Sequence, residues 1–382
     1  MVPCLLDWFA ANARDLPWRR TRDPYAIWVS EIMLQQTQVK TVIPFWERWM
    51  RELPTIEAVA QASSAKIHKL WEGLGYYTRV RNLQRAAQII AEKHGGKFPN
   101  QFDEVLALPG IGRYTAGAIC SIAFNQPTPI LDGNIIRVLT RVFGIAENPK
   151  EKQTNSKLWR LAEELVRRAA GLDSPWSSRC KEAQIRKAES GKQKSETSQS
   201  LLTSAATIKY SCSALNQSMM ELGALICTPR HPQCTLCPVR RVCVAFKSSR
   251  VEELPHLGKR EAATAKRFIA FAMERDGKFL VRQRPAGVVN AHLWEFPNLE
   301  STDTRNGVRT VFRKLFEFDS PAVRRLCVVK HSITRYRITL EVFTARLVSS
   351  PPKSAGLWKT PAQMRALAFS SAHRKIFLAV TG

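Results

Sequence analysis

Hydrophobic and polar positions follow two different periods along the chain, and the change falls near residue 265. Before residue 171, Ala, Leu, Ile and Trp recur at helical spacing, most clearly in 24–50, 63–94 and 102–124. Gly and Pro separate these stretches, and strand alternation is scarce. The pattern therefore predicts helical layers packed around one core.

Residues 172–213 follow neither period. They are rich in Ser, Lys, Glu and Gln and poor in apolar residues, so they cannot bury enough surface to offset the entropy of ordering. We expect a disordered insertion, tolerated as a surface loop in preference to a flap that binds DNA. Helical spacing resumes at 215–226, and the polar stretch 251–265 is predicted to be a linker.

Beyond the linker the period becomes two, which is typical of strands. Stretches 267–273, 278–284 and 336–342 alternate in this way, and Asp276-Gly277 is a hairpin signal between the first two. Short helices are expected at 309–316 and 372–380. The sequence thus predicts an all-α domain at 1–250 and an α+β domain at 266–382.

Composition is ordinary apart from charge. Of 382 residues, 45% are hydrophobic and 24% charged, which excludes wholesale disorder. Lys and Arg number 58 against 32 Asp and Glu, a net charge of +26 that favours a polyanionic partner such as nucleic acid. No stretch approaches the roughly 18 apolar residues of a membrane span, and no secretion signal is evident. We expect an intracellular protein, cytoplasmic or associated with the nucleoid.

Cysteine usage also favours a reducing compartment, since nine is an odd number and four cluster together. The cluster is Cys227-x6-Cys234-x2-Cys237-x5-Cys243. Four thiolates this close can enclose a metal or an iron–sulfur cluster, although zinc modules usually have two short-spaced pairs and only one is present here. The alternative is four buried cysteines without a metal.

A second motif, LPGIGRYTAG at 108–117, predicts a helix–hairpin–helix. Gly110 and Gly112 permit a tight turn, and the following helix N-terminus faces an anion such as a DNA phosphate. An ordinary turn between helices is the alternative. Asp132 lies eighteen residues after Tyr114, so one helix of about ten residues and a short loop would return it beside the hairpin.

The run WVSEIMLQQTQ at 28–38 is unusual for a solvated helix because Glu31 is followed by apolar residues and then by Gln. Gln and Thr at a helix end are suited to hydrogen-bonding bases that an extruded nucleotide leaves exposed. The alternative is a polar helix end that never contacts DNA.

With these motifs the chain resembles the adenine DNA glycosylases (the MutY family, in the endonuclease III superfamily) over nearly its whole length. The matching runs are LPWR at 16–19, WVSEIMLQQTQV at 28–39, GLGYYTRVRNL at 73–83, LPGIGRYTAGAI at 108–119, ILDGN at 130–134, NQSMMELGALIC at 216–227 and the cysteine loop. The resemblance implies a helix–hairpin–helix glycosylase domain with a [4Fe–4S] cluster on the four cysteines. It also implies a C-terminal MutT-like (Nudix-fold) domain.

The resemblance further implies excision of adenine mispaired with 8-oxoguanine or guanine in double-stranded DNA, for which a monomer suffices. Glu31 corresponds to the general acid that protonates adenine N7, which requires a raised pKa in an apolar pocket lined by Trp18, Ile27, Trp28 and Leu34. Asp132 corresponds to the carboxylate that stabilises the sugar cation, and Asn134 to a residue orienting it. Tyr114 stands where strand-cleaving relatives have Lys, so efficient lyase activity is not expected.

The remaining implied contacts are with DNA. Gln36 would fill the base stack, Tyr76 would intercalate near the partner base, and Thr37 would hydrogen-bond bases. Arg19, Leu34 and Glu221 correspond to positions around the adenine.

The C-terminal domain is not expected to hydrolyse nucleotides, because its candidate Mg²⁺ helix at 309–317 has one acidic and three basic residues. We expect it to bind DNA that carries the lesion. Ser332, Ile333, Thr334 and Arg335 lie where relatives read 8-oxoguanine with Phe-Ser-His. Ile333 would keep the apolar wedge and Thr334 the hydroxyl, whereas Arg335 replaces the His with a side chain that has donors but no acceptor. A β-hairpin with polar edges is the alternative.

Two other functions remain open at this point. One is an endonuclease III-like pyrimidine glycosylase with lyase activity, against which Tyr114 argues. The other is a non-catalytic iron–sulfur protein that binds DNA, against which the pair Glu31 and Asp132 argues.

Overall fold

The structure is a computed structural model that describes residues 1–171, 211–258, 262–303, 307–320, 322–333, 335–346 and 352–382. Its contacts divide the chain into two compact units, one of Met1–Val39 with Ile89–Lys259, the other of Lys40–Gln88 with Arg260–Gly382. This grouping differs from the split at 251–265 expected for separate domains, which stays a prediction. Most of the expected insertion, 172–210, lies outside the described residues.

Helices dominate the chain before residue 250, as the apolar spacing predicts. They are α1 (Val2–Asn12), α2 (Pro24–Leu34), α3 (Val39–Glu52), α4 (Ile56–Gln61), α5 (Ser64–Trp71), α6 (Thr78–Lys93), α7 (Phe102–Leu106), α8 (Arg113–Phe124), α9 (Gly133–Phe143), α10 (Lys152–Ala169), α11 (Cys212–Leu225) and α12 (Val244–Lys247). Helix α11 begins at Cys212 because the Ser211 side chain accepts from the Ala214 N–H as its N-cap. Cys212 and Ser213 thus belong to a helix and not to the expected insertion.

Each of the three long helical stretches expected from the sequence is broken once. The breaks fall between α2 and α3, between α5 and α6, and between α7 and α8. Every break contains residues in the left-handed backbone region, which a helix cannot continue through. These residues are Gln36 in the first break, Gly73, Gly75 and Tyr76 in the second, and Gly110 in the third.

The first unit packs around a helical core. Helix α2 is buried from Tyr25 to Met33 without interruption, and the Asp23 side chain caps it by accepting from the N–H groups of Tyr25 and Ala26. Helices α1, α8, α9, α10 and α11 contribute to a neighbouring cluster of buried apolar side chains that includes Leu6, Val138 and Leu222.

The second unit contains helices α3 to α6 and a sheet. Its strands are β1 (Thr264–Arg275), β2 (Lys278–Gln283), β3 (Trp294–Glu295), β4 (Asn298–Glu300), β5 (Arg324–Ile333), β6 (Tyr336–Arg346) and β7 (Leu357–Lys359). The order along the main path is β3-β2-β1-β6-β5, with β4 beside β1 and β7 beside β2. Strands β1 and β6 are parallel, and the other pairs are antiparallel.

Alternation along β1 explains how this sheet is covered. Ile269, Phe271 and Met273 face a core with α13 (Gly307–Phe316), whereas Ala270 and Ala272 face a core with α15 (Ser371–Thr381). Helix α14 (Pro361–Arg365) precedes α15. Asp276 and Gly277 both have positive φ in the β1–β2 turn, which confirms the expected hairpin.

Within the described part of the chain, no helix has the length and apolar character needed to cross a membrane.

Candidate active site

A cavity of about 540 Å³ in the first unit collects most of the residues that the sequence singled out. It lies between α2, the N-termini of α8 and α9, and α11. The expected residues on its wall are Trp18, Arg19, Ile27, Glu31, Leu34, Gln36, Thr37, Tyr114, Asp132, Asn134 and Glu221. Trp28 is not among them, because it is fully buried in the core beside Tyr25 and Phe98.

Glu31 is a buried acid on this wall, with 5% of its surface exposed. Burial raises its pKa to about 7, and the charge of Asp132 adds to the rise. A hydrogen bond from Tyr114 and the charge of Arg19 oppose the shift without cancelling it. The carboxyl is therefore half protonated near neutral pH, which is what a general acid requires.

Asp132 is placed by the start of helix α9. Its Oδ1 accepts from the Ile135 N–H at 2.7 Å as the N-cap, and its Oδ2 accepts from Asn134 Nδ2 at 3.1 Å. Burial raises the pKa of Asp132, while these hydrogen bonds and the charge of Arg137 act to lower it. Donors on both oxygens and a helix N-terminus favour the ionised form relative to Glu31.

Asn134 is itself fixed by a residue that sequence reasoning missed. Arg137 Nη2 donates to Asn134 Oδ1 and to the Gly223 carbonyl, both at 2.7 Å, and its Nε donates to the Cys227 carbonyl at 2.7 Å. Gly223 permits this approach, because a Cβ there would lie 2.7 Å from that of Asn134. The spacing of Asn134 and Arg137 on one helix face was the available signal.

Tyr114 stands between the two acids. Burial raises its pKa well above the ordinary value, and the negative charges of Glu31 and Asp132 raise it further. Its hydroxyl also lies 3.2 Å from Met220 Sδ. The phenol is therefore neutral and serves as a hydrogen-bond donor.

Glu221 forms the polar end of the cavity. Its oxygens accept from Arg14 Nε at 2.8 Å, Arg14 Nη2 at 2.7 Å and Arg19 Nη2 at 2.9 Å. Burial alone would raise the pKa of Glu221, but these hydrogen bonds outweigh it and lower the pKa to about 2. Arg14, Met220 and Gln217 on the same wall were not expected from the sequence. The four-residue spacing between Gln217 and Glu221 on one helix could have indicated Gln217.

The hairpin between α7 and α8 differs in one respect from the expectation. Gly110 has a φ of 78°, a conformation that favours glycine. Gly112, however, is extended, and a Cβ there would meet no atom within 4 Å. The turn therefore does not require Gly112. The N-cap of α8 is Gly112, so no side chain caps the first N–H groups of this helix.

The remaining expected DNA contacts lie in the second unit, apart from Thr334, which is outside the described residues. Tyr76 is 45% exposed with a φ of 47°. Ser332 is exposed near the end of β5, and the pair Ile333–Tyr336 closes a hairpin around position 335. Arg335 lies over the Tyr336 ring, and Ile333 is half-buried on the wall of a 300 Å³ cavity rather than projecting as a wedge.

Comparisons with known proteins agree with this arrangement. Residues 29–164 match the model of the HhH-GPD superfamily base excision DNA repair proteins, and residues 269–379 match the NUDIX domain. The adenine DNA glycosylase of Rattus norvegicus is 32% identical over 98% of this chain and 76% of its own length. The chain belongs to the adenine DNA glycosylase family.

A second adenine DNA glycosylase, that of Homo sapiens, is 31% identical over 99% of this chain and 73% of its own. A thermostable thymine-DNA glycosylase of known structure is 26% identical with a TM-score of 0.50, over 65% of this chain and 95% of its own. This adenine DNA glycosylase family member is therefore a DNA glycosylase of base excision repair. It joins a helix–hairpin–helix domain to a Nudix-fold domain.

The cysteine loop of this family member brings four thiols together. Cys227, Cys234, Cys237 and Cys243 line one small cavity, and each has a free thiol. No group of three such side chains in the described residues is arranged to hold a single metal ion. Four cysteine thiols on one cavity are the ligand type that an iron–sulfur cluster requires.

Electrostatics supports the same interpretation. Burial raises the pKa of Cys237 to about 11, and the charges of the other three thiolates add to the rise. Arg141 Nη1 lies 3.4 Å from Cys227 Sγ, and this buried guanidinium also donates to the Thr228 and Leu254 carbonyls at 2.8 and 2.9 Å. At this pKa the Cys237 thiol keeps its proton at neutral pH, and a bound metal group would replace such a proton.

Proposed function

We propose that this glycosylase removes adenine opposite 8-oxoguanine or guanine in double-stranded DNA, without efficient strand cleavage. The observation that carries the proposal is the pairing, in one cavity, of a buried carboxyl with a pKa of about 7 and a second carboxyl held by donors on both oxygens. The relatives at 31–32% identity bear the name of adenine glycosylases, which supports adenine as the substrate.

The reaction assigned to these groups begins with a flipped adenosine in the 540 Å³ cavity, a volume ordinary for a small-molecule site. Glu31 donates a proton to adenine N7, so that the base departs as a neutral molecule when the N-glycosidic bond breaks. Asp132 stabilises the positive charge on the sugar. Water then adds to C1′, and its proton returns to Glu31.

The roles of the neighbouring groups follow from their contacts. Asn134 and the Ile135 N–H hold Asp132 in place, and Tyr114 donates a hydrogen bond to Glu31. Strand cleavage requires an imine at C1′ of the sugar, which a phenol cannot form. The product therefore retains an intact abasic sugar. Trp18, Ile27 and Leu34 supply the apolar wall, with Arg19 and Glu221 at its polar end.

We also propose that Cys227, Cys234, Cys237 and Cys243 hold a [4Fe–4S] cluster. When bound, the cluster would tie the loop 227–243 together as a structural element. The buried Arg141 fixes the backbone around it through the carbonyls of Thr228 and Leu254.

DNA contacts are assigned to exposed features of both units. The uncapped N-terminus of α8 after Gly110 and Gly112 is suited to a backbone phosphate, and Gln36 and Tyr76 to the base stack. In the Nudix-fold domain, Ser332, Thr334 and Arg335 are the proposed contacts with the lesion strand.

We further propose that the protein acts as a monomer in a reducing, intracellular compartment.

Single-turnover excision tests it. Duplexes carrying A opposite 8-oxoguanine, G or C, and one carrying thymine glycol, are incubated with enzyme and scored with and without alkali. We expect adenine release that is fastest opposite 8-oxoguanine, with strand breaks only after alkali and none for Glu31→Gln. Excision of thymine glycol alone, with breaks before alkali, would instead establish a pyrimidine glycosylase with lyase activity.

A further inference from the structure

The loop that joins α5 to α6 presents an exposed aromatic ring on a backbone of unusual conformation. Gly73, Gly75 and Tyr76 all have positive φ, at 111°, 73° and 47°. A non-glycine residue in this region is strained unless its surroundings hold it there. Tyr76 is also the residue to which the proposed function assigns insertion into the base stack, so whatever holds the loop positions that ring.

Residues just before and just after the loop tip fix part of its conformation. Trp71 Nε1 donates to the Gly75 carbonyl at 3.1 Å, and Arg79 Nη2 donates to the carbonyls of Leu74 and Gly75 at 3.1 and 3.2 Å. The same guanidinium lies 5.3 Å from the Trp71 ring centroid and 5.7 Å from that of Tyr76. These contacts fix the tip of the loop from the α6 side.

The C-terminal segment 367–374 fixes the rest of the loop conformation, through contacts with residues on each side of the tip. Glu72, with its side chain 3% exposed, accepts from the Phe369 N–H at 2.9 Å, from Lys69 Nζ at 2.7 Å and from Arg374. Tyr77 donates its hydroxyl to the Phe369 carbonyl at 3.3 Å and accepts from the Gly73 N–H at 3.3 Å. The loop is thus bound at both ends to the backbone of one residue, Phe369.

We propose that Glu72 is a positioning residue for Tyr76, which fixes the base of the Tyr76 loop to the backbone of Phe369 so that the ring keeps its orientation when it enters the DNA stack. This inference rests on the proposed function, since it concerns a step of adenine excision. Inserting a ring between bases requires free energy to unstack them. If the loop were free to move, its backbone would shift and the bases would stay stacked. The charge-assisted hydrogen bonds of Glu72 oppose that movement.

A double-mutant cycle tests it on the full-length enzyme. Glu72→Ala, Tyr76→Ala and the double variant are assayed for single-turnover excision from A opposite 8-oxoguanine. We expect Glu72→Ala to slow excision about tenfold, the size of one charge-assisted hydrogen bond. In the Tyr76→Ala background the same change should have no further effect, because Glu72 acts through Tyr76.

Two further variants guard against a general loss of folding. Tyr77→Phe removes only the hydroxyl between Gly73 and Phe369, and it should reproduce part of the Glu72→Ala effect while lowering the melting temperature by only a few degrees. Glu341→Gln alters a partly buried ion pair with Arg267 in the same unit, away from the loop, and should leave the excision rate unchanged.

A fluorescent 2-aminopurine beside the 8-oxoguanine reports insertion of Tyr76 directly, and its signal on binding should be reduced in Glu72→Ala.

The outcomes separate the two proposals. A wild-type enzyme that releases no adenine refutes the proposed function, and the inference with it. A wild-type enzyme that is active, in which Glu72→Ala and Tyr76→Ala slow excision by independent factors, refutes the inference alone. An unchanged 2-aminopurine signal in Glu72→Ala does the same.

Discussion

The raised pKa of Glu31 has a consequence for stability that can be measured without DNA. The folded protein holds this proton up to a pH of about 7, whereas the unfolded chain releases it near 4.5. Between these values the native state binds more protons than the unfolded state, so stability falls as the pH rises. The stability that protonated Glu31 contributes is therefore lost as the pH rises from 4.5 to 7, and the loss is complete above pH 7.

The difference between the two pKa values corresponds to roughly 3 kcal/mol, an upper bound for this fully buried carboxyl. Glu31→Gln keeps the shape and the hydrogen-bonding capacity of the side chain but never ionises. At pH 8 the variant should be more stable than the wild type by up to about 3 kcal/mol, and at pH 5 the advantage should fall below about 1 kcal/mol.

Thermal unfolding at pH 5 and pH 8 measures the effect. For a unit of this size, about 3 kcal/mol corresponds to a melting temperature raised by roughly 6–12 °C at pH 8. Glu253→Gln, at an exposed surface glutamate paired with Arg250, is the matched control and should show no difference that depends on pH. If Glu31→Gln gives the same shift at both pH values, or destabilises at pH 8, Glu31 does not ionise as described.

Three other predictions concern activity and DNA binding. The single-turnover rate should be level below pH 7 and fall about tenfold per pH unit above it, because the acid form of Glu31 donates the proton; a rate that rises with pH would assign Glu31 the role of a base. Tyr114→Lys should nick the strand and give a borohydride-trapped adduct, whereas Tyr114→Phe gives none. Gly112→Ala should keep its melting temperature, because the added Cβ meets no atom within 4 Å, yet it should bind DNA several-fold more weakly. An unchanged affinity would show that the N-terminus of α8 does not contact a DNA phosphate.

Helix and strand content followed from periodicity, but the interruptions did not. Stretches 24–50, 63–94 and 102–124 have continuous helical spacing, and each is broken in the structure. The hairpin motif at 108–117 indicated the third break, and the glycines at 73 and 75 could have indicated the second. The first depends on Gln36 in a left-handed conformation, for which residue type gives little signal.

The sequence predicted those site residues whose chemical role can be recognised from a local motif. Tyr114 and Asp132 lie on one cavity, as the helix and short loop between them indicated, and Glu31 lies on the same wall. Arg14 could not be predicted, because it reaches Glu221 across 207 positions of sequence and only the fold brings them together. Ile333 was expected to project and is half-buried, because residues on one strand alternate between faces.

The burial of α2 explains why Glu31 has the pKa that the proposed reaction needs. An amphipathic helix would expose one face, and a glutamate on that face would be solvated and ionised at neutral pH. In α2, every residue from Tyr25 to Met33 is buried, so water reaches Glu31 only through the cavity. Asp132 lies at a helix N-terminus, where N–H groups favour a negative charge and oppose the rise that burial gives to its pKa. The proposed acid and the proposed anion thus come from two different fold elements.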